Sequence, residues 1–296
     1  MSLLLTTKLS TEEIFNFNVS ELVVTEEGNL FKGYNGGEAY TEDGISIKAE
    51  NFEYNKITNI LIANKNVFFK DEKKNIIITS ETISYDRNKE KIIADGNVVV
   101  INNDQRTNIK ANKIFYSKNK DQISAIGKVK FIDELKKINI KAEEISYLKK
   151  EEKVFAKDNV EFNDLNKLIK IQTDEITYLK NKNKFFTKGN TTADIQTKYK
   201  IISKDIFFEQ DQMKIYSNEK TIIKDLNNTI YELGSFNYNI RDEYLKGTKI
   251  FLVENSNMPA SDRNKFYFES GFFDLKNKNF TTGRAKVHLK KNLFDR

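Results

Sequence analysis

The sequence predicts an all-β fold made of stacked repeats, and three observations carry that prediction. Five tyrosines, Tyr54, Tyr85, Tyr116, Tyr147 and Tyr178, stand 31 residues apart. Ala63, Ala94, Ala125 and Ala156 keep the same step, with Thr187 on the fifth rung. Between these markers apolar and polar residues alternate with period 2, the pattern of a half-buried strand. Two ladders at one period signify a repeated unit, and such arrays build long surfaces or grooves rather than a single catalytic point.

The clearest unit runs over 138–162. In its first strand Ile138, Ile140 and Ala142 share one face, opposite Asn139 and Lys141. The apolar role then passes to Ile145 and Tyr147, so the parity slips from even to odd. On a straight strand that slip turns the apolar side chains to the wrong face, and a bulge or corner near Glu143-Glu144 repairs it. The slip recurs from Ile76, Ile78 and Ser80 to Ile83 and Tyr85, from Ile109 and Ala111 to Ile114 and Tyr116, and from Ile169, Ile171 and Thr173 to Ile176 and Tyr178. A defect at one point of every unit marks a designed passage from one sheet to another.

A polar turn such as Asp86-Arg87-Asn88-Lys89 follows each tyrosine. In the second strand Ile123, Ala125, Gly127, Val129 and Phe131 share a face, matched by Ile92, Ala94, Gly96, Val98 and Val100, and by Val154, Ala156, Val160 and Phe162. Gly96, Gly127 and Gly189 recur at multiples of the period, and glycine inside a strand marks a bend or a close backbone approach. Asp158 takes that place in one unit, so the position admits a side chain. One unit buries too little apolar surface to stand alone, so the array folds by stacking.

These patterns set the expected organisation. Residues 1–12 read as a disordered leader or cloning remnant. A single continuous domain spans 13–296, with a degenerate first unit over 13–43, regular units over 44–193 and looser units over 194–253. A loop holding the only proline, Pro259, covers 254–264, and a last unit covers 265–296. Atypical end units are expected as caps.

Composition excludes several chemistries. Apolar residues make up 39% of the chain, fewer than in most globular domains, but 12% is aromatic, which speaks against disorder. This suits a thin interior with a large polar exterior. The absence of cysteine removes disulfides and thiolate metal sites. His288 is the only histidine, which excludes a multi-histidine zinc site, and a lone histidine near a chain end reads as a surface residue rather than a member of a catalytic triad. The net charge of +6 comes from 49 basic and 43 acidic residues interspersed along the chain, the pattern of a solvated face. A small basic excess favours anionic partners. No run approaches the roughly 18 apolar residues of a membrane-spanning helix, and Leu3, Leu4 and Leu5 are too few for a signal-peptide core.

One candidate binding surface emerges. The inward row comprises Ile78, Ile83, Tyr85, Val98, Val100, Ile114, Tyr116, Val129, Phe131, Ile140, Ile145, Tyr147, Val160, Phe162, Ile176 and Tyr178. It either lines a lipid groove or forms a sealed core that touches only itself. Glu143-Glu144 and Asp174-Glu175 are paired carboxylates of the kind a glycosidase uses, yet they recur with the repeat and read as corner residues. Lys128, Lys130, Lys141 and Lys170 read as a solvated face rather than a phosphate site. No catalytic residue, cofactor or metal is expected, and the chain is not expected to be an enzyme. A polysaccharide-acting parallel β-helix is disfavoured, because a parallel coil gives no reason for the repeated parity slip.

The stretches ITSETISYDRNKEKIIADGNVVV, 78–100, and IKAEEISYLKKEEKVFAKDNVEF, 140–162, resemble the OstA-like repeats of the lipopolysaccharide-transport family. Five units from Gly44 to about Ala193 match well and the outer units loosely. The family includes LptA-type periplasmic bridge proteins and the N-terminal periplasmic domain of LptD. The resemblance implies an elongated open β-jelly roll of stacked antiparallel repeats of about 31 residues, two sheets meeting in a V. It also implies a periplasmic role in a Gram-negative bacterium, with lipid A acyl chains of lipopolysaccharide carried in the groove. The implied protein partners are other family jelly rolls joined end to end by strand addition, with no nucleic acid. The LptD N-terminal domain, whose outer-membrane barrel is absent from this sequence, is favoured over an LptA-type bridge, which is usually shorter. A structural or adhesive β-solenoid with a sealed core remains the third alternative.

Overall fold

Ile, Val, Thr, Tyr and Phe dominate the alternating segments, and these residues fit a pleated, half-buried surface. The computed structural model describes residues 15–289. The expected leader over 1–12 therefore lies outside the described residues. The strands are β1 Asn16–Thr25, β2 Leu30–Tyr40, β3 Ile45–Ala49, β4 Asn51–Asn55, β5 Ile60–Asp71, β6 Ile76–Asp86, β7 Lys91–Asn102, β8 Thr107–Ser117, β9 Gln122–Asp133, β10 Ile138–Leu148, β11 Lys153–Asp164, β12 Ile169–Leu179 and β13 Lys184–Ile195. The starts of β5, β7, β9, β11 and β13 are each 31 residues apart, so one repeat is a pair of long antiparallel strands. Shorter strands follow: β14 Tyr199–Lys204, β15 Phe207–Glu209, β16 Lys214–Ser217, β17 Thr221–Asp225, β18 Ile230–Leu233 and β19 Ser235–Asn239. The last are β20 Tyr244–Val253, β21 Lys265–Asp274, β22 Asn279–Thr282 and β23 Ala285–His288. The segment 254–264 separates β20 from β21, where the sequence places a loop.

Packing groups the chain into two compact units divided inside β8. Unit 1 runs to Gln105 and takes Lys113–Phe115, and unit 2 holds Arg106–Asn112 and the chain from Tyr116 onward. The sequence reading of one domain over 13–296 sets no boundary there, because β8 keeps the repeat pattern, with Ile109, Ala111, Ile114 and Tyr116 all buried.

In unit 1, β1 pairs with β2, whose two ends pair separately with β3 and β4. Those two pair with the two halves of β5, and β6 and β7 follow, antiparallel throughout. In unit 2, β9 to β13 pair in sequence order. Beyond β13 the ladder forks: β14, β17 and β18 continue one sheet and β15, β16 and β19 the other, until β20 and β21 bridge both again. We call the sheet containing β14, β17 and β18 wall 1 and the other wall 2.

The predicted corner is where each long strand passes between walls. β10 and β11 pair up to Lys141↔Glu161, then resume at Glu144↔Lys157. Burial follows the slip: Ile138, Ile140 and Ala142 are buried on one side of it, Ile145 and Tyr147 on the other. On the partner strands the corner is made by left-handed residues, Gly96 with Asn97, Gly127 with Lys128, and Asp158 with Asn159. At Gly96 a Cβ would lie 2.6 Å from Glu81 Cδ, so the glycine is needed for close approach as well as for its φ of +81°.

Each wall has a buried inner row, and its residues are graded in size. Close to the corner of unit 2 stand Ala125, Ala156 and Thr187, packed between Ile145 and Ile176 of neighbouring strands. Away from the corner stand Phe131, Tyr147, Phe162 and Tyr178, all 0% exposed. Small residues fit where the walls converge and aromatic residues where they diverge, which accounts for the two ladders of the sequence.

Candidate functional site

All sixteen residues of the predicted row point inward and none is more than 2% exposed. In unit 1 these are Ile78, Ile83, Tyr85, Val98, Val100 and Ile114. In unit 2 they are Tyr116, Val129, Phe131, Ile140, Ile145, Tyr147, Val160, Phe162, Ile176 and Tyr178. The residues of the proposed lipid wall are therefore core residues in this state, and the expected open groove is closed over them.

The closure has an aromatic layer. Tyr147 of wall 2 meets Phe131 of wall 1 with ring centroids 5.4 Å apart, and Tyr178 meets Phe162 at 6.0 Å, both edge to face. In unit 1 Tyr85 meets Phe69 at 6.2 Å. Phe15, just ahead of β1, adds a plug there. It packs on Tyr54 at 5.3 Å and Tyr85 at 6.1 Å, under the Arg87 guanidinium. Burial raises the phenol pKa of Tyr85, Tyr147 and Tyr178 well above its ordinary value.

Outside the aromatic layer of unit 2 lies a polar one. The turns of both walls face each other along the mouth. Lys180 Nζ lies 3.1 Å from Asp133 Oδ2 at ion-pair distance, without hydrogen-bond geometry. Lys136 donates to Asn183 Oδ1 at 2.7 Å, Gln210 donates to Asp164 Oδ2 at 2.7 Å, and Lys198 donates to Glu243 Oε1 at 2.5 Å. Each contact joins a wall 1 turn to a wall 2 turn. Asp133 and Asp164 also cap their own turns by accepting from the backbone N–H of Lys136 and Lys167. They belong to a buried ladder, Asp71, Asn102, Asp133 and Asp164, at the repeat step. Arg87, Lys118, Lys149 and Lys180 form another ladder two residues after the tyrosines. Sequence reasoning missed both, although the period displays them.

Past Lys198 and Glu243 the lining changes. A cavity of about 530 Å³ lies between the walls at the C-terminal end of unit 2. Tyr199, Tyr231, Leu252, Phe266, Phe268, Phe273 and Phe280 supply its apolar surface, and Asp225, Glu243, Glu254, Asp274, Lys198 and Lys278 its polar one. Phe268, Phe273 and Phe280 form a triangle with centroids 5.6–6.0 Å apart, and Phe280 is 54% exposed. Burial raises the Tyr199 phenol pKa to about 12. A second cavity of about 570 Å³ shares Lys198, Tyr199, Asp225 and Leu226 and runs along the wall 1 turns past the exposed Leu165 and Leu168. The strict period fails in this region, so its aromatic residues carried no common register in the sequence.

The carboxylate pairs are corner residues. Glu144 pairs with Lys157 at 2.8 Å, Glu175 with Lys188 at 3.6 Å, and Asp174 Oδ2 accepts from the Asn190 backbone N–H at 2.9 Å. Lys128, Lys130, Lys141 and Lys170 are exposed. His288 is exposed, its ring 5.9 Å from that of Tyr267. Among the described residues no group of three or more His, Asp or Glu is arranged to hold a metal ion, and no helix is long and apolar enough to cross a membrane.

No protein-family model matches the chain, and no curated protein matches it either. Among solved structures it is similar to LptH, the LptA homologous periplasmic component of the lipopolysaccharide transport device from Pseudomonas aeruginosa. That similarity has a TM-score of 0.36 and 18% sequence identity, over 40% of this chain and 84% of LptH.

Proposed function

We propose that this chain is a periplasmic lipopolysaccharide-transport and assembly component. Its apolar interior carries lipid A acyl chains toward the outer membrane, in the manner of an LptD N-terminal domain. The observation that carries this reading is an interior lined on both walls by apolar side chains that ends in an open aromatic cavity in unit 2. Such a lining offers few directional contacts and suits flexible hydrocarbon chains better than a polar substrate. The repeat motifs that resemble the family supply the substrate class. Among the described residues β1 pairs only with β2, and β22 and β23 only with β21. These strands leave free edges to which another family jelly roll adds a strand. An LptA-type bridge is the alternative within the same class. Coding sequence that continues past Arg296 into amphipathic strands would favour the LptD-type protein.

The burial of all sixteen predicted residues favours a second reading, a structural β-solenoid with a sealed core. A photo-crosslinking amino acid placed singly at Tyr147, Phe162, Phe280 and outward Lys141 separates the two. The transport reading expects capture of lipid A from at least one inward position and none from Lys141. Silence at every inward position leaves the sealed solenoid.

A further inference from the structure

The mouth of unit 2 differs along its length. From Asp133 to Glu243 it is crossed by an ion pair, two amide contacts and a second ion pair, over edge-to-face Tyr–Phe contacts. The first of these contacts is shut away from water, with Lys180 6% and Asp133 0% exposed. Separating them leaves a buried charge without its partner, so this stretch resists opening. At the C-terminal end the surface is of another kind: Phe268, Phe273 and Phe280 surround open volume, and Phe280 stands half in solvent. The rim cavity that shares Tyr199 and Leu226 continues this surface outward to Leu165 and Leu168, which are 56% and 63% exposed. Among the described residues an apolar path thus leads here from the turn tips toward the interior.

We infer that an acyl chain enters and leaves the interior of unit 2 sideways, through the aromatic cavity at its C-terminal end, while the buried Asp133–Lys180 and Asp164–Gln210 contacts hold the rest of the mouth shut. The occupant is one hydrocarbon chain of an amphiphile. Each carboxylate at the rim is already engaged: Glu243 with Lys198, Glu254 with Asn264, and Asp225 and Asp274 with their own turns. The cavity is apolar within, so the head group stays outside, where Lys278 lines the cavity and Lys170, Lys200 and Lys224 line the rim. This inference rests on the lipid-carrying reading and adds where the lipid passes and what closes the remainder.

The test uses the full chain, tritiated lipid A as probe and p-benzoylphenylalanine at Phe280 or at Tyr147. Capture is expected at Phe280 and not at Tyr147 while the contacts are intact. Capture at Tyr147 is expected to appear in the Lys180→Met background. Equal capture at both positions in the unmodified background overturns the inference but leaves lipid carriage standing, as does capture at Tyr147 alone. No capture at either position overturns both. Because Tyr147 is a core position, a second variant stands apart from it: Phe280→Asp, at a half-exposed site, is expected to weaken lipid A binding about 10-fold, or roughly 1.4 kcal/mol, with unchanged thermal unfolding. Unchanged binding in Phe280→Asp overturns the port.

Discussion

Lys180 Nζ sits 3.1 Å from Asp133 Oδ2, joining a wall 2 turn to a wall 1 turn, and neither side chain is more than 6% exposed. Lys180 also lies 5.6 Å from the ring centre of Tyr147, so its ammonium rests on the aromatic layer. Removing one partner of a buried pair leaves the other charge unsatisfied. Lys180→Met is therefore expected to lower stability by roughly 3–5 kcal/mol in urea titrations. Adding Asp133→Asn keeps the turn cap and removes the stranded charge, so the double variant should recover most of that loss. Equal losses in the single and double variants would show that the ion pair contributes little. The exposed Lys89–Asp86 contact serves as a control, and breaking it should change stability by no more than about 1 kcal/mol.

The corners offer a contrast within one chain. Gly96 has φ +81°, and a Cβ there would meet Glu81 Cβ at 2.7 Å. Gly96→Ala combines a left-handed alanine with a contact that the Glu81 stem cannot easily leave, and roughly 1–3 kcal/mol of stability should be lost. Asp158 already holds the equivalent place at φ 64°. Asp158→Gly relieves the left-handed side chain and should stabilise the chain, by less than about 1 kcal/mol. Paired denaturation curves decide the matter, and two shifts of the same sign would count against this account of the corner.

These corners were legible because a strand's two faces alternate strictly. A single slip of parity at Glu143-Glu144 reports a change of sheet, and its recurrence fixes the register. The inward direction of Tyr147 and Phe131 was legible for the same reason. Closure of the mouth was not. It depends on Asp133 meeting Lys180 and Asp164 meeting Gln210, residues of different repeats whose proximity no one-dimensional period encodes. The aromatic cavity was hidden for another reason. There the long strands fork into β14 to β19, the period loosens, and Tyr199, Tyr231 and Phe280 reach one place from unrelated positions in the pattern.

Phe15 is 3% exposed against Tyr54 and Tyr85 in unit 1. Phe15→Ala removes the plug, and roughly 3–5 kcal/mol should be lost if the space stays empty. A Phe15→Leu variant, which refills most of the volume, should recover more than half of it. Thermal unfolding measures both. Midpoints for both variants equal to that of the unchanged chain would mean that Phe15 adds no packing to unit 1.

The buried tyrosines make an alkaline prediction. Tyr85, Tyr147 and Tyr178 ionise far above their ordinary value, chiefly because burial penalises the phenolate. In the unfolded chain each phenol loses its proton near pH 10. Between that value and the raised folded value the native state holds more protons, so stability falls as pH rises. The contribution is fully present below about pH 10 and then declines by about 1.4 kcal/mol per tyrosine for each further pH unit. Denaturant midpoints should therefore stay level from pH 8 to about 10 and drop steeply above it, together with the appearance of tyrosinate absorbance. Among the described residues the buried Tyr178 Oη has no hydrogen-bond partner, so Tyr178→Phe removes an unsatisfied group and should be neutral or stabilising near pH 8. The same variant should flatten the alkaline slope by one tyrosine's share. Tyrosinate absorbance equivalent to all 13 tyrosines near pH 10, with no loss of stability, would place these phenols in water and refute the closed interior.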